Sequence, residues 1–242
     1  MKRFLILMLP LLTGALAACD TDSYDSGIGE YSLMTGDLVD VYTDDDGYIS
    51  SFVTDDDTEY QLTQRMKASF ASSPDSVYRA LLYYNLVEGS DYLAEPVSIG
   101  EVAVLSIFTP DSIERQTTDP IDLESVWMSK NNKYVNMGIY IKVGTSDDII
   151  DYQTIGMMRD STVANADGTY TLYLTLYHSQ GDVPEYYSQK YYLSMRTDDL
   201  VAGVVLHAYD HEITTIMADT VSISFNTYDD GVVTRVLPVA DD

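Results

Sequence analysis

The sequence predicts an all-β protein, and three observations support this prediction. Short runs rich in β-branched and aromatic residues recur along the chain, and several of them alternate apolar with polar residues. Turns rich in Asp and Gly separate the runs, for example at residues 44–47 and 229–231, and these residue types accept the backbone angles of tight hairpins. No segment shows a long helical period. We therefore expect antiparallel sheets with at most a turn or two of helix.

The predicted strands fall into two groups. Those of the first half are residues 37–43, 48–54, 59–62, 77–87 and 97–108. The fourth run also fits a helix face, but its few charges and three aromatic residues favour a strand. The fifth is expected to be a strand pair, or one long strand bent at Gly100. Eight short strands then follow at near-regular spacing, which is typical of a β-sandwich: residues 125–129, 134–143, 151–158, 169–178, 189–196, 201–209, 221–227 and 232–237.

The N-terminus has the features of an export signal. Lys2 and Arg3 precede an apolar run over residues 4–12, and small residues lead to Ala18 and Cys19. A basic start, a short apolar run and a small-residue exit are typical of a secretory signal peptide, and the run is shorter than the ~20 residues that span a bilayer. We predict a signal peptide over residues 1–18, cleaved between Ala18 and Cys19, and a flexible tether over residues 19–31.

Cys19 stands where a bacterial lipobox places its acylated cysteine, the first residue of the mature chain. Acyl chains on Cys19 would hold a water-soluble domain at a membrane, and stable anchoring takes more than one chain. The alternative is an ordinary cleaved signal with an incidental cysteine. Because Cys19 is the only cysteine of the sequence, we expect no internal disulfide and no cysteine nucleophile.

The charge of the chain narrows the range of partners. The formal net charge is −26, which repels phosphate backbones and anionic lipid surfaces. We therefore expect no nucleic-acid partner, while cations, cationic peptides and neutral glycans stay open. A charge of this size also simply keeps an exposed protein soluble.

Three groups of residues could bind a metal, and we interpret each in another way. The Asp runs at 44–46 and 55–57 offer the oxygen ligands that calcium prefers, but they lack the EF-hand spacing. We interpret them as hairpin turns with solvated acids. His207 and His211 are four residues apart without the HExxH order, which indicates a surface pair. His178 ends a predicted strand with no nucleophile beside it. The sequence thus predicts no metal, no cofactor and no catalytic residue.

Tyrosine is the unusual feature of the composition, with 21 copies. In the doublets Tyr186-Tyr187 and Tyr191-Tyr192, strand neighbours point to opposite faces, so one of each pair should face solvent. Exposed tyrosines can stack on sugar rings or contact a partner protein, which makes these four residues candidate ligand-facing aromatics. The alternative is that tyrosine merely suits half-buried strands. Trp127 is expected in the core between the two sheets.

The order of these motifs resembles the NigD-like family of Bacteroidota lipoproteins. The resemblance is carried by the lipobox and by residues 36–39 (GDLV), 43–47 (TDDDG), 79–85 (RALLYYN), 125–129 (SVWMS), 134–137 (YVNM), 177–182 (YHSQGD) and 191–195 (YYLSM). It implies an OB-like β-barrel over residues 32–112 followed by an antiparallel β-sandwich over residues 113–242. The family has no established activity.

Together, the residues and the resemblance predict an acidic cell-envelope lipoprotein. We expect Cys19 to anchor it in the outer membrane, facing either the periplasm or the surface. We expect a non-catalytic binding or interaction module with an unknown protein or glycan ligand. One alternative is a glycan-binding accessory lipoprotein that uses exposed tyrosines. A bacteriocin-related or immunity-like protein, suggested by the family name alone, is another, and an acid-dependent hydrolase is a third.

Overall fold

The computed structural model describes residues 34–112, 118–206 and 213–239, and these residues are almost entirely strands and turns. The predicted signal peptide and tether, Cys19, His207 and His211 lie outside the described residues. Within the described ranges, two short 3₁₀ turns, Pro110–Ser112 and Thr197–Asp199, are the helical elements. None of the described helices has the length and apolar character needed to span a bilayer. The all-β prediction is confirmed.

The first five strands close into a barrel with the order β1-β2-β3-β5-β4. Their bounds are Thr35–Thr43 (β1), Ile49–Thr54 (β2), Glu59–Met66 (β3), Val77–Leu86 (β4) and Leu93–Glu101 (β5). All neighbouring pairs are antiparallel except β3 and β5, which are parallel. Alternate side chains, among them Val39, Phe52 and Leu82, fill the interior. A closed five-stranded barrel of this size is OB-like, as the resemblance implied.

The remaining strands build a sandwich of two sheets and a separate hairpin. The four-stranded sheet has the order β6-β12-β9-β8, the five-stranded sheet β16-β15-β11-β10-β7, and β13 pairs with β14. The bounds are Ala103–Val104 (β6), Ile107–Phe108 (β7), Asp122–Met128 (β8), Tyr134–Val143 (β9), Thr154–Ala164 (β10), Tyr170–Ser179 (β11), Tyr187–Arg196 (β12), Val201–Leu206 (β13), Ile213–Met217 (β14), Thr220–Thr227 (β15) and Gly231–Pro238 (β16).

The sandwich core lies between the inner faces of its two sheets. Met137 and Ile139 come from one sheet, and Leu174, Ile223 and Phe225 come from the other. All five are fully buried, and each such side chain contributes roughly 1.5–3 kcal/mol through removal from water. The sequence analysis predicted this sandwich from its alternating strands, and the prediction is confirmed.

After the last barrel strand, the chain adds one short strand to each sheet of the sandwich. The prediction of a strand pair, or of one strand bent at Gly100, over residues 97–108 is wrong. β5 ends at Glu101, β6 then pairs parallel to β12, and β7 pairs parallel to β10. Buried Val102 and Leu105 fix these breaks: the Val102 amide donates to the carbonyl of Arg79, and Leu105 joins the sandwich core. Residues 103–108 therefore pair with the second half, while the division at 112/113 stays a prediction.

Candidate binding cleft between the barrel and the four-stranded sheet

A buried arginine joins the barrel to the sandwich. Arg79 of β4 stands opposite Asp40 of β1 on the outer face of the barrel, and both are buried. The Arg79 Nη1 atom lies 3.4 Å from Asp40, and Nη2 lies 2.7 Å from Asp55. From the same guanidinium, Nη2 donates to Asn136 of β9 at 3.2 Å and Nε donates to Ser194 of β12 at 3.2 Å. The buried cation is thus paired and hydrogen-bonded, as burial of a charge requires.

Further contacts join Arg79 and its partners into one cluster, which we call the arginine network. The Arg79 guanidinium lies 4.0 Å above the ring of Tyr134, whose hydroxyl donates to Asp40. The Asn136 amide donates to Asp55 at 2.8 Å. Burial raises the pKa of Tyr134 to about 12, so its phenol stays a donor at neutral pH. Burial also raises the pKa of Asp55, although the charge of Arg79 opposes that shift.

The Asp-rich turn over residues 55–57 contacts the sandwich. The Asp56 carboxylate lies 3.3 Å from Lys130, and the Asp57 carboxylate lies 3.0 Å from Lys133. Hydrogen bonds from Thr54 and Thr58 lower the pKa of Asp56 to about 2. The predicted hairpin turn is present, but the expectation of acids that merely face solvent is wrong for this run, because the tip of the β8–β9 hairpin brings lysines to it.

The other Asp run, residues 44–46, is also a hairpin turn. The Asp44 carboxylate accepts the amides of Asp46 and Tyr48, and Arg65 lies 2.7 Å from Asp44 and 3.2 Å from Asp46. Oxygens of the three acids lie within 4.8 Å of one another. The predicted hairpin turn is therefore present, with two of its acids paired to Arg65, while the expectation that this run binds no metal stays a prediction.

Beside the arginine network, the barrel and the four-stranded sheet enclose an open cleft of about 650 Å³. The barrel contributes Asp37, Tyr60 and Tyr84, and the sheet contributes Trp127 and Tyr192. Glu124, Ser125 and Lys130 also line the cleft. The volume lies within the range of small-ligand sites.

On the sheet wall, Trp127 and Tyr192 meet edge to face, with ring centroids 6.4 Å apart. In the strand register, Gly138 of β9 stands between Ser125 of β8 and Tyr192 of β12, and Trp127 stands opposite Asn136. A Cβ atom on Gly138 would lie 2.6 Å from the Glu124 carboxylate and 3.0 Å from the Ser125 hydroxyl. The glycine therefore leaves the space that these cleft side chains occupy.

Lys190 holds the Glu124 carboxylate of the sheet wall in place. Its Nζ lies 2.6 Å from the Glu124 carboxylate and 4.6 Å from the centroid of the Tyr192 ring. These two neighbours raise the pKa of Lys190, with the bond to Glu124 as the larger cause. The Tyr140 hydroxyl also donates to Glu124, at 3.4 Å. The carboxylate and the aromatic ring are thus held side by side.

On the barrel wall, the Tyr84 hydroxyl donates to the Asp37 carboxylate at 2.8 Å. Tyr84 packs with Phe52 and Tyr60 inside the barrel, with ring centroids 4.8 Å and 5.8 Å away. Burial raises the pKa of Tyr84, so the phenol remains a donor. Asp37 is therefore oriented by a side chain that is itself fixed by the barrel core.

The structure separates the four tyrosines predicted to face a ligand. Tyr192 lines the cleft. Its neighbour Tyr191 points to the other face of β12, packs against the sandwich core, and has a pKa raised by burial. Tyr186 and Tyr187 are both exposed and lie at the N-terminal end of β12. Cys19 lies outside the described residues, so its lipidation stays a prediction.

The expectation that Trp127 belongs to the core between the sheets is wrong. Val126 and Met128 pack against that core, so Trp127, between them on the strand, faces the cleft. The alternation of side chains along β8 could have predicted that Trp127 faces away from the core. The sequence analysis also missed Asp37, Glu124 and Arg79, whose partners are brought together only by the fold.

Comparison with known proteins supports the fold. No protein-family model matches the sequence, and curated protein sequences give no match. Among solved structures, a NigD-like immunity protein from Bacteroides caccae has a TM-score of 0.60 and 22% identity, over 83% of this chain and 91% of that one. A protein of unknown function from Bacteroides vulgatus has a TM-score of 0.58 and 13% identity, over 86% and 92% of the two chains.

A candidate lipoprotein from Bacteroides fragilis has a TM-score of 0.55 and 13% identity, over 86% of this chain and 98% of that one. These similarities cover the barrel and the sandwich together. The chain therefore has the fold of a NigD-like immunity protein, and the resemblance seen in the sequence is confirmed at the level of the fold.

Proposed function

We propose that the protein is a non-catalytic, lipid-anchored binding module of the outer membrane that holds a carbohydrate in the cleft. The observation that supports this proposal is the sheet wall, where Trp127 and Tyr192 lie beside Glu124 and Ser125. A sugar ring has an apolar face that packs on aromatic side chains, and its hydroxyls donate to carboxylates. The cleft offers both kinds of contact within one small volume.

The charges of the cleft favour a neutral or amino-bearing sugar. Asp37 and Glu124 face the cleft from opposite walls, while Lys130 and Lys190 are already paired with Asp56 and Glu124. An acidic polysaccharide or a nucleic acid would bring negative charge to the cleft, where both lysines already pair with carboxylates. The overall charge of −26 further disfavours binding of such a ligand.

Two observations support a non-catalytic and envelope-bound role. The cleft carboxylates are each held by a donor, Asp37 by Tyr84 and Glu124 by Lys190, which suits ligand binding. The fold neighbours are described as an immunity protein, a protein of unknown function and a candidate lipoprotein. The lipobox at Cys19 agrees with the last of these descriptions.

A glycan array, followed by calorimetry on each hit, tests this proposal. We expect a neutral or amino-sugar glycan to bind, and Trp127→Ala and Tyr192→Ala each to weaken it at least about tenfold, as loss of a central aromatic contact does. Tyr92→Ala is the matched control, because Tyr92 is an exposed tyrosine of the barrel that does not line the cleft. Absence of any hit, or hits that survive both cleft substitutions, would disprove carbohydrate binding.

A further inference from the structure

A second surface lies at the end of the sandwich away from the barrel. β9 begins at Tyr134, which contacts Asp40 of the barrel, and it ends at Val143. The loop over residues 144–153 follows it, and the loop over residues 180–186 leads back into β12, which begins at Tyr187. We call these two loops together with Tyr187 the distal tip. None of their residues lines the cleft.

Direct bonds hold the two loops of the distal tip together. The Asp182 amide donates to the Asp151 carbonyl at 2.8 Å, and the Asp151 amide donates to the Asp182 carboxylate at 3.0 Å. Gln153 donates to the side chain of Gln180 at 3.0 Å. Gly181 adopts a positive φ of 57° directly against the Asp151 carbonyl. The tip is thus organised before any partner arrives, which reduces the entropy lost on binding.

This organised tip presents large side chains with strong apolar character to solvent. The exposed fractions are 88% for Ile150, 70% for Tyr152, 72% for Tyr186 and 56% for Tyr187. Within the described residues, these are among the most exposed side chains of their size. Tyrosine is enriched at protein interfaces because it offers a large apolar area, a hydroxyl and few rotatable bonds.

The charge around these side chains has one sign. The two loops contain no Lys, Arg or His. Their acidic residues are Asp147, Asp148, Asp151, Asp182 and Glu185. Nearby Lys142, at the base, directs its ammonium over the ring of Tyr228, 5.4 Å from its centroid. Aromatic rings bordered by carboxylates attract guanidinium and ammonium groups through both cation–π and ionic contacts.

We propose that the distal tip is a docking surface for a positively charged segment of a partner protein, one that alternates basic with apolar side chains. The basic groups would pair with the acids of the tip, and the apolar groups would pack on Ile150, Tyr152 and Tyr186. A second copy of this chain does not fit, because it would bring the same negative charge. An anionic membrane surface is disfavoured for the same reason. This proposal is independent of carbohydrate binding in the cleft.

The test measures binding of the purified mature protein to a short synthetic peptide of alternating arginine and leucine. Two related peptides, one with glutamate for arginine and one with serine for leucine, separate the ionic contribution from the apolar one. Because the whole protein is acidic, a basic peptide could bind at other places, and the variants show whether it binds at the distal tip. Tyr152→Ser combined with Tyr186→Ser removes the apolar contacts, Asp147→Asn combined with Asp148→Asn removes charge, and Tyr92→Ser, at 61% exposure on the barrel, is the matched control.

We expect the arginine–leucine peptide to bind best, and the tyrosine pair to weaken it about tenfold or more. The Asp147/Asp148 pair should weaken it severalfold at low salt and less at high salt, because salt screens exposed charges. Tyr92→Ser should have no effect. The proposal is overturned if the arginine–leucine peptide does not bind, if it binds equally well to the tyrosine pair, or if the glutamate peptide or phosphatidylglycerol vesicles bind as tightly. Trp127→Ala should leave peptide binding unchanged, which separates the two surfaces.

Discussion

Arg79 of the barrel and Asn136 of the sandwich are joined by a hydrogen bond of 3.2 Å between the Nη2 and Oδ1 atoms. The two residues are 57 positions apart in the sequence, and both are buried. Asn136 also donates to Asp55 and accepts from Ser194, so its amide connects β4, the β2–β3 turn and β12. A polar network of this kind fixes one relative arrangement of barrel and sheet, and the wall of the cleft depends on that arrangement.

Arg79→Met should destabilise the protein severely. The substitution keeps much of the volume but leaves the buried Asp40 and the partly buried Asp55 without their cation, and breaking a buried pair in this way costs about 3–5 kcal/mol. Chemical denaturation of wild type and variant measures the free energy of unfolding. Arg65→Met is the control, because the Arg65 side chain is 52% exposed and solvent screens its pairs with Asp44 and Asp46, so its loss should cost far less. Equal effects of the two substitutions would contradict the proposed role of Arg79.

Gly138→Ala should weaken carbohydrate binding while the fold remains intact. The added methyl group would meet the ends of the Glu124 and Ser125 side chains, which can rotate away, so we expect a stability change below about 1 kcal/mol. Their displacement would alter the sheet wall of the cleft. Calorimetry with a glycan from the array gives the affinity. Gly100→Ala is the control, since nothing lies within 4 Å of a Cβ there; a Gly138→Ala protein with wild-type affinity would show that the cleft wall does not bind the ligand.

His178 should make the protein less stable as the pH falls below neutrality. Its ring is buried, with Nδ1 3.3 Å from the Asp119 carbonyl, and burial lowers its pKa below the usual 6.5. The unfolded chain therefore binds this proton more readily. The contribution to stability is complete above pH 6.5 and is lost as the pH falls toward the lowered pKa, with a slope that approaches about 1.4 kcal/mol per pH unit.

The measurement compares the free energy of unfolding of wild type and His178→Leu between pH 5 and 8. His207 and His211 are unchanged in both proteins, so the difference between the two curves isolates His178. We expect the variant to have a flatter curve in this range. Parallel curves would mean that His178 does not titrate differently in the folded state.

The strands were predictable from the sequence to the extent that their side chains alternate. The runs that form β9, β11 and β12 have one face in the core, and the alternation of apolar residues located them. β6 and β7 contain two residues each, so no period can be seen, and their pairing is decided by buried Val102 and Leu105. β14 was missed for a related reason: it is short, and four of its five side chains are exposed.

The cleft was less predictable, because its two walls come from different halves of the chain. Asp37 and Glu124 look like ordinary surface acids in the sequence, and only the closed barrel and the β8–β9 register bring them to one cavity. Tyr191 and Tyr192 are both candidates in the sequence, and the fold places only Tyr192 at the cleft, while Tyr191 packs against the sandwich core. Trp127 could have been placed by the same argument, since Val126 and Met128 mark the opposite face as the core side.

Cys19→Ala should release the protein from the membrane. Without the thiol the proposed acyl chains cannot be attached, and the domain would lose the buried methylenes of those chains, each worth about 0.8 kcal/mol. Fractionation of cells that express wild type or variant shows the result, and mass spectrometry of the native N-terminus shows the lipid directly. A variant that stays in the membrane fraction, or a wild-type terminus without fatty acid, would refute the anchor.

Gly181→Ala should destabilise the distal tip beyond the effect of its backbone conformation alone. Gly181 has a φ of 57°, and a Cβ atom there would lie 2.5 Å from the Asp151 carbonyl oxygen, so the two loops would have to separate. Gly168 also has a positive φ, of 91°, but a Cβ there meets nothing within 4 Å. Gly168→Ala should therefore show only the cost of the left-handed conformation, about 1–2 kcal/mol.

Hydrogen exchange distinguishes these two substitutions. In Gly181→Ala we expect faster exchange of the Asp151 and Asp182 amides, which bridge the loops in the wild type, together with weaker binding of the arginine–leucine peptide. Gly168→Ala should leave both unchanged, because its turn lies between β10 and β11 and contains no residue of the tip. If the bridging amides stay protected in Gly181→Ala, the contact between the loops does not depend on the glycine, and the rigidity argued for the tip must arise elsewhere.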